Sequence, residues 1–386
     1  MGLLKLGIFG LGMFGGKIAK LGAEADMPGV IINASKDDIK KLGDLSGVTS
    51  FVVGDGNGTG KSRDTSKEFL IDHISVVEED AVKEICNNCD VIVVAGSVGG
   101  GFGSGSMPAL TDILSQMYPG KLFIPLTTLP FDSETYTAQK HAEDAIKEIK
   151  KLGTPYIIYD NNKYKEIPSA DALKAVNKDI ITGLKVIRGD FITESIDSDD
   201  TASDMDARDL LTTISAPGRL VADMVLINSS SVAGGKSLVT LLNEKIQTAS
   251  HAELTSDKII AASAVMYSLS DELKGHSTAV FSELYDTYGH AVSDFRNEVV
   301  NDETGSDFIA VILSGLTDPV ERIDKIIAKR IKEERRILNA QASVSKFANT
   351  EQTQGIKLGV KSFGSEASNV EAPDVKNILK NLKINK

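Results

Sequence analysis

The chain has 386 residues, more than a single hydrophobic core usually fills, and this length predicts about two domains. With a net charge of −12, 41% hydrophobic residues and 25% charged residues, it is typical of a globular protein whose acidic body repels DNA and anionic membranes. No segment approaches the roughly 18 consecutive apolar residues that span a bilayer, so we predict a cytoplasmic protein with no direct DNA contact and no membrane partner.

Residues 3–160 alternate short apolar runs with amphipathic stretches. Runs rich in Val and Ile predict strands in LLKLGIF, GVIIN, SFVV, DVIVVAG, KLFIPLT and PYIIY. Apolar residues three or four positions apart predict helices in VVEEDAVKEIC, MPALTDILSQM and TYTAQKHAEDAIKEIKKL. This alternation is typical of an α/β domain with a parallel sheet covered on both faces, which binds ligands beyond the carboxyl ends of its strands.

The rest of the chain predicts a second domain and a C-terminal extension. After a first domain at 1–168, a long helical pattern covers 169–195. The α/β alternation then resumes over 196–317, which begins with an acidic linker. A charged helix is predicted over 318–347, and a disordered basic tail over 348–386 ends in KNILKNLKINK.

The two cysteines, Cys86 and Cys89, form a C-x-x-C pair in EICNNCD. A structural zinc site needs four ligands, and the sequence has no second pair to supply them. A redox dithiol opens a helix after a strand, whereas this pair ends a helical pattern just before a strand. We therefore predict two semi-buried structural thiols.

Two glycine-rich motifs fit known phosphate-binding patterns incompletely. GLGMFG at 10–15 is a literal G-x-G-x-x-G, but dinucleotide binding also needs an acidic residue at the end of the second strand, where Asn33 stands. This motif leaves an NAD-dependent oxidoreductase as an alternative. GDGNGTGKS at 54–62 ends like a Walker-type loop, yet Asp55 occupies the place of its first glycine. The RDTSKEF that follows is also expected to open a helix poorly, so we predict no Walker-type loop.

The segment GGGFGSG at 99–105 is the strongest candidate for a phosphate cradle. It follows the apolar strand DVIVVAG and precedes the predicted helix MPALTDILSQM. Its many glycines leave backbone N–H groups free to approach an anion, and the following helix adds its positive end. A structural turn needs fewer glycines, so the segment predicts phosphate binding.

GGGFGSG also resembles the signature GGGTGTG or GGGTGSG of the tubulin/FtsZ family. Other segments are similar to those of that family and follow its order: GLGMFGG, IINAS, GNGTGK, PFDSE, YDNNKY with LKAVNKD, and SDMDARDLL. These matches extend over residues 3–211, and the second domain fits in element order only. The resemblance implies a tubulin/FtsZ-like α/β fold: a parallel-sheet GTPase domain, a long central helix, a second α/β domain for activation and polymerisation, and a C-terminal helix with a basic tail.

The resemblance also implies a set of residues that hold GTP or GDP. They are Gly10, Gly12, Met13, Gly15, Gly16, Asn33, Gly58, Thr59, Gly60, Gly99, Gly100, Gly101, Phe102, Gly103, Ser104, Gly105, Glu134, Asn161 and Asn177. In this set the loop at 58–60 would sense the γ-phosphate, and Glu134 would lie at the ribose. Asn161 and Asn177 would hold guanine, whose edge suits the donor and acceptor of an amide. Mg²⁺ would bridge the phosphates.

Hydrolysis is implied to depend on Asp206 and Asp209, on the surface opposite the nucleotide. They would act on the GTP of the next subunit, so head-to-tail contact would build an open filament and complete each active site. Without the resemblance, two acidic residues three positions apart are typical of the first turn of a helix.

Three departures distinguish the chain from a cell-division FtsZ. Phe102 replaces a Thr of the signature, Thr137 and Ala138 stand where an Arg is expected, and Asp204 replaces the first Asn of the catalytic loop. The charged helix and basic tail resemble the TubZ branch of the family, which segregates plasmid or phage DNA. We therefore predict a filament-forming GTPase of this type whose tail binds a DNA-bound adaptor protein. An FtsZ-like division GTPase is the alternative.

Overall fold

The structure is a computed structural model that describes residues 2–192, 205–227, 240, 241, 244, 251, 261–268, 294–299 and 307–351. The chain divides into two compact units, Met1–Arg330 and Ile331–Lys386. The predicted domain boundaries near 168 and 196 fall inside the first unit, and the functional division at these positions stays a prediction. Among the described residues, none of the helices combines the length and the apolar character that a membrane span requires.

The strands predicted in the first 160 residues are all present. The strands are β1 (Leu6–Leu11), β2 (Gly29–Asn33), β3 (Val48–Val52), β4 (Val91–Gly96), β5 (Leu122–Leu129), β6 (Pro155–Asp160), β7 (Gly218–Leu226), β8 (Ala262–Ser268), β9 (Asp294–Val299) and β10 (Phe308–Leu316). The helices are α1 (Gly12–Ala23), α2 (Lys36–Lys41), α3 (Arg63–Asp72), α4 (Asp80–Asn88), α5 (Phe102–Met117), α6 (Tyr136–Lys151), α7 (Ser169–Arg188), α8 (Ala207–Ile214) and α9 (Val320–Glu351). Two 3₁₀ turns, Ile74–Glu78 and Asn161–Tyr164, precede α4 and follow β6.

The described strands form one ten-stranded sheet in the order β3-β2-β1-β4-β5-β6-β7-β10-β8-β9. Strands β1 to β6 pair in parallel, and β7 joins β6 in parallel. Strand β10 lies antiparallel between β7 and β8. The strand order reverses at β1, which has β2 on one side and β4 on the other. A reversal of this kind opens a crevice at the carboxyl ends of the strands.

Apolar cores cover both faces of the sheet, as the sequence predicted. Along β1, Ile8 belongs to a core that includes Ile18 of α1 and Ile180 of α7. Its neighbour Phe9 belongs to a second core that includes Leu110 of α5 and Ile146 of α6. Strands β1, β2, β4 and β6 are buried along their whole length. Burial on both faces explains why these strands are continuous apolar runs in the sequence rather than alternating patterns.

Three helix boundaries differ from the predictions. Helix α5 begins at Phe102 instead of Met107, so the second half of the GGGFGSG segment is helical. Helix α1 begins at Gly12, inside the first glycine motif. Helix α7 ends at Arg188, short of the predicted 195, because Gly189 adopts φ 74° and donates hydrogen bonds back to the last turn. Glycine disfavours helix in isolation, and packing against the sheet overrides that preference in α1 and α5.

The prediction that RDTSKEF opens a helix poorly is wrong. Helix α3 begins at Arg63, and the Ser62 hydroxyl accepts a hydrogen bond from the Thr65 amide at 3.1 Å. Asp64 adds a negative charge to the first turn. Both features stabilise a helix start. The exclusion of a Walker-type loop therefore rests on Asp55 alone.

Both thiols of the C-x-x-C pair are buried. Cys86 and Cys89 are free cysteines in the apolar core beside α4. Burial raises the pKa of Cys86 to about 12 and the pKa of Cys89 to about 11. Thiols with such pKa values stay protonated near neutral pH. Both side chains are fully buried rather than semi-buried, and their structural role stays a prediction.

The C-terminal helix α9 covers Val320–Glu351, close to the predicted 318–347, and begins directly after Pro319. The acidic linker at 193–204, much of the predicted second domain and the tail at 352–386 lie outside the described residues. The disorder predicted for the tail therefore stays a prediction.

Candidate nucleotide-binding site

A cleft of about 910 Å³ lies at the carboxyl ends of the parallel strands. Its walls include the last residue of β1, Leu11, and the last residue of β2, Asn33. Ser97 follows β4, Thr128 is the penultimate residue of β5, and Asn161 follows β6. The cleft thus lies where the reversed strand order predicts a ligand, and its volume is that of a site for a small molecule.

Most of the predicted nucleotide-binding residues line this cleft. They are Gly12, Met13, Asn33, Gly58, Thr59, Gly60, Gly99, Gly100, Gly101, Phe102, Gly103, Glu134, Asn161 and Asn177. The remaining predicted residues, Gly10, Gly15, Gly16, Ser104 and Gly105, are described but do not line it. The predicted loops thus meet at one cleft, and the binding role of each residue stays a prediction.

The glycines that do not line the cleft are required for close packing. A β-carbon on Gly10 would lie 2.2 Å from the Gly15 carbonyl oxygen, and one on Gly15 would lie 2.1 Å from the Ala95 carbonyl oxygen. A β-carbon on Gly105 would lie 2.6 Å from the Arg63 carbonyl oxygen. These glycines let α1 approach β1 and β4, and let α5 approach α3. They position the cleft walls without touching its contents.

The loop between β4 and α5 presents backbone to the cleft. A β-carbon on Gly103 would lie 3.0 Å from the Ser97 amide nitrogen, and one on Gly101 would lie 2.5 Å from Thr59 Oγ1. The first amides of α5 have no intrahelical acceptor, as at any helix start. Ser104 Oγ donates to the Gly100 and Gly101 carbonyls and so fixes the conformation of this turn. A helix start with free amides is a site for an anion such as phosphate.

His141, which does not line the cleft, forms a hydrogen bond to the same loop. Its Nδ1 atom lies 3.1 Å from the Gly100 carbonyl oxygen, so Nδ1–H donates to that oxygen. The ring is 8% exposed. Burial, together with the positive charge of Arg63, lowers the pKa of His141. The ring is therefore neutral near pH 7, and it fixes the orientation of the Gly100 peptide.

Helix α3 is fastened to α5 by buried polar contacts. Arg63, which is 9% exposed, donates from Nη2 to the Ser104 carbonyl at 3.0 Å and to Glu148 Oε2 at 2.7 Å. Ser66 Oγ donates to the Phe102 carbonyl at 2.8 Å and lies 2.6 Å from Ser106 Oγ. The loop that precedes α3 is thereby anchored beside the glycine loop. The sequence carried no signal for these contacts.

The loop at 54–61 lies above the glycine loop. Gly54, Gly56, Gly58 and Gly60 all have positive φ, and so has Lys61 at 61°. The Gly58 amide donates to the Ala34 carbonyl at 2.8 Å. Both Asp55 carboxylate oxygens accept from Asn57 at 2.9 Å, and these bonds lower the pKa of Asp55. Asp55 thus shapes a turn through its bonds to Asn57.

Three asparagines line the cleft, each less than 10% exposed: Asn33, Asn161 and Asn177. Asn33 Oδ1 accepts from the Ser35 amide at 3.1 Å, while its Nδ2 finds no partner among the described residues. Asn161 Oδ1 is likewise buried without a partner in the described part of the chain. A buried polar atom left without a partner costs about 1–3 kcal/mol. A free donor and a free acceptor in one cleft therefore indicate a ligand that supplies both complements.

Comparison with known proteins agrees with this geometry. Residues 28–169 match the family described as "Tubulin/FtsZ family, GTPase domain". This segment of the chain is therefore similar to a tubulin/FtsZ GTPase domain. The chain is 24% identical over 229 residues to a cell division protein FtsZ of Aquifex aeolicus, a match that covers 57% of this chain and 59% of that protein. The chain therefore matches less than two thirds of the length of this relative.

Solved structures of the family share the fold. The truncated TubZ of Clostridium botulinum phage c-st superposes with a TM-score of 0.64 and 18% identity, over 85% of this chain and 98% of that chain. CetZ2 of Haloferax volcanii, solved as a GTPγS-bound protofilament, gives a TM-score of 0.68 and 18% identity, over 86% of this chain and 100% of that chain. The protein thus has a tubulin/FtsZ-like fold with a mostly parallel sheet.

The segment around Glu134 is held by the start of the C-terminal helix. Glu134 Oε1 accepts from the Phe131 amide at 2.9 Å. Arg322 of α9, which is 5% exposed, donates to Asp160 at 2.7 Å, to Asp132 at 2.9 Å and to the Pro130 carbonyl at 2.6 Å. Asp132 is near Glu134 in the chain, and Asp160 directly precedes Asn161. Arg322 therefore fixes two walls of the cleft without lining it.

Asp206 and Asp209 lie at the start of α8 and do not line the cleft. Asp206 Oδ1 accepts from the Asp209 amide at 2.8 Å, and Asp209 Oδ2 accepts from the Asp206 amide at 3.3 Å. This reciprocal capping box gives both carboxylates a structural role, as their spacing predicted. Asp206 is exposed, so the structure leaves it accessible at the surface of the chain. The catalytic assignment stays a prediction.

The cleft has further lining residues that the sequence did not single out. The side chains with polar or charged groups are Lys17, Ser35, Asp38, Asn57, Lys61, Ser97, Thr128, Ser133, Thr135, Thr137 and Ser169. Thr137 and Ala138 line it at the place of the Arg that the family resemblance led us to expect. The described residues contain no group of three or more His, Cys, Asp or Glu side chains placed to hold a metal ion.

Proposed function

We propose that this protein binds and hydrolyses GTP and polymerises head to tail into filaments in the cytoplasm, and that these filaments segregate plasmid or phage DNA. The observation that carries the proposal is the cleft, which is lined by the start of α5 and by the unpartnered polar atoms of Asn33 and Asn161. The family match at 28–169 supports GTP as the ligand.

The cleft residues have distinct tasks in this proposal. The amides of the glycine loop at 99–103 hold the phosphates, as a helix start does for any anion. Asn161 and Asn177 bind the guanine edge, where the free Asn161 oxygen accepts from a ring N–H group. Glu134 lies at the ribose. Bound with the nucleotide, Mg²⁺ would supply charge neutralisation at the phosphates.

Hydrolysis needs a group that orients water. We assign that task to Asp206 and Asp209 of a neighbouring subunit, since both lie outside the cleft of their own chain. The H. volcanii CetZ2 structure of a GTPγS-bound protofilament supports self-association of this fold around nucleotide. Contact between subunits then completes the active site, and hydrolysis weakens the contact.

The segregation role rests on the C-terminal extension. Helix α9 is long and charged, and the sequence beyond it ends in KNILKNLKINK, which has no acidic residue. A basic segment on an acidic protein suits an acidic adaptor surface, and the fold similarity to a phage TubZ supports this branch. Deleting 350–386 should leave GTPase activity intact and abolish adaptor binding. Unchanged adaptor binding would refute the tail's role.

Sedimentation tests the central proposal. The full chain is centrifuged at high speed after incubation with Mg²⁺ and GTP, GDP, ATP or NAD in parallel, and released phosphate is measured in the same samples. We expect pelleting and phosphate release with GTP only. Binding of NAD without pelleting would instead favour the oxidoreductase alternative. Pelleting that requires no nucleotide would contradict a GTP-driven filament.

A further inference from the structure

We propose that Lys61 contacts the terminal phosphate of GTP and thereby lets this protein distinguish GTP from GDP. The inference rests on the proposed GTP-binding function. It concerns the lysine of the loop at 54–61, within the incomplete Walker-type motif GDGNGTGKS.

The position of Lys61 places a cation beside the phosphate cradle. Its Cα atom lies 2.7 Å from where a β-carbon on Gly101 would stand, so the backbones of the two loops are in direct contact. Lys61 lines the cleft itself. The first amides of α5, which follow Gly101, are the anion donors of the cleft. A side chain that starts at this point reaches the outer end of whatever those amides hold.

The cleft offers few other cationic side chains that could contact the terminal phosphate. Lys17 and Lys61 are the only cationic residues among its described lining residues. The family's expected Arg is replaced by Thr137 and Ala138. Arg63 is turned away from the cleft, toward Ser104 and Glu148. A triphosphate has one more charged group than a diphosphate, so a cation at its far end acts on GTP selectively.

The backbone of Lys61 supports a functional role. With φ 61°, it is one of two non-glycine residues in the described part of the chain with positive φ, and the other is Asp26. A lysine in this region is strained, and such strain clusters at functional sites. Glycine would fit here without strain, as at Gly58 and Gly60 in the same loop. The side chain of Lys61 is thus kept where its backbone alone would favour glycine.

Substitutions at Lys61 can separate the effect of its ammonium group from the effect of its strained backbone. Lys61→Arg keeps the charge, Lys61→Ala removes the charge and keeps the strain, and Lys61→Gly removes both. Affinities for GTPγS and GDP are measured by calorimetry on full-length protein held below its polymerisation concentration. Lys17→Ala is the matched control, because it removes the other cleft-lining cation, which lies on α1 away from the loop.

We expect Lys61→Ala and Lys61→Gly to bind GTPγS about 10- to 100-fold more weakly than the unmodified protein and to bind GDP unchanged, the range expected for a lost charge-assisted hydrogen bond. Lys61→Arg should retain most of the preference. Lys17→Ala should change both affinities by the same factor. The Gly variant should also show a raised thermal midpoint, since its backbone is relieved.

Several results would overturn the proposal. Normal GTPγS affinity in Lys61→Gly would show that only the backbone matters, and equal losses for GTPγS and GDP would place Lys61 away from the terminal phosphate. Loss of the preference in Lys17→Ala alone would assign the cation to α1. Failure of the unmodified protein to bind either nucleotide would instead refute the proposed function, so the two failures are distinguishable.

Discussion

Arg322 provides the sharpest test of how the C-terminal helix supports the cleft. It is 5% exposed and makes charge-assisted bonds to Asp160 and Asp132 and a bond to the Pro130 carbonyl. Asp160 is itself only 4% exposed. Arg322→Gln would leave that carboxylate buried without its cation, which costs about 3–5 kcal/mol when one partner of a buried pair is removed.

The contribution of each ion pair of Arg322 to the free energy of unfolding follows from the exposure of its carboxylate. Asp132 is 55% exposed at its side chain, so its pair with Arg322 contributes less than about 1 kcal/mol. Most of the expected loss therefore comes from Asp160. Asp160→Asn keeps the oxygen that accepts from the Asn162 amide at 3.1 Å, and it replaces the oxygen that accepts from Arg322 with an uncharged amide group. The double variant should accordingly be less destabilised than the sum of the two single variants.

Urea unfolding followed by far-UV circular dichroism measures this cycle, since the chain has no Trp for fluorescence. Arg336→Gln is the matched control on the same helix: Arg336 is 79% exposed and pairs only locally with Glu333 at 3.0 Å, so its loss should stay within about 0.5 kcal/mol. Additivity of Arg322→Gln and Asp160→Asn within about 0.5 kcal/mol would show that the two residues are not coupled and would refute the reasoning.

Four further predictions follow from the same contacts. Asp206→Asn keeps a capping side chain at α8 and should bind GTP and polymerise but hardly hydrolyse it; normal phosphate release would exclude its role in the neighbouring subunit's site. Gly101→Ala should lower the thermal midpoint without nucleotide, since its β-carbon would lie 2.5 Å from Thr59 Oγ1, whereas Gly100→Ala, with open space around it, should not. Because the pKa of His141 is lowered, the unfolded chain binds more protons than the folded chain at acidic pH. The contribution of His141 to the free energy of unfolding is therefore fully present above its ordinary pKa of about 6.5 and is lost as the pH falls below it. His141→Gln should flatten the change in thermal midpoint between about pH 7.5 and about pH 5. Cys86 and Cys89 should resist iodoacetamide at about pH 8 until urea is added, as judged by mass spectrometry, and rapid alkylation of the native protein would show that they are accessible.

Sequence reasoning identified the strands and the loops because their physical signals are local. A strand buried on both faces, such as β4, must be a continuous apolar run, and it is followed by the loop that its parallel neighbours place at the ligand. The polar residues that close strands, such as Asn33 and Asn161, are then brought together by the sheet alone. Their place in the cleft required no knowledge of side-chain contacts.

The misjudged features depend on contacts between distant parts of the chain. Gly10 and Gly15 match a ligand-binding motif, but only the packing of α1 against β1 and β4 shows that their missing side chains make room for backbone. Arg322 follows the cleft loops by more than a hundred residues, and nothing near it in the sequence indicates Asp160 as its partner. Helix α5 likewise begins among glycines because tertiary packing overrides their weak helix preference.

The anchors of the cleft differ in a way that indicates which wall moves. The glycine loop is held by His141 and by Ser66, and the wall that carries Asn161 is held by Arg322; all three anchors are buried. The loop at 57–61 has instead exposed residues, positive φ at Gly58, Gly60 and Lys61, and a hydrogen bond from the Gly58 amide to the Ala34 carbonyl. Glycine-rich backbone changes conformation at a small cost. Under the proposed function, we therefore expect loss of the terminal phosphate to change the conformation of this loop, while the buried anchors keep the other walls in place.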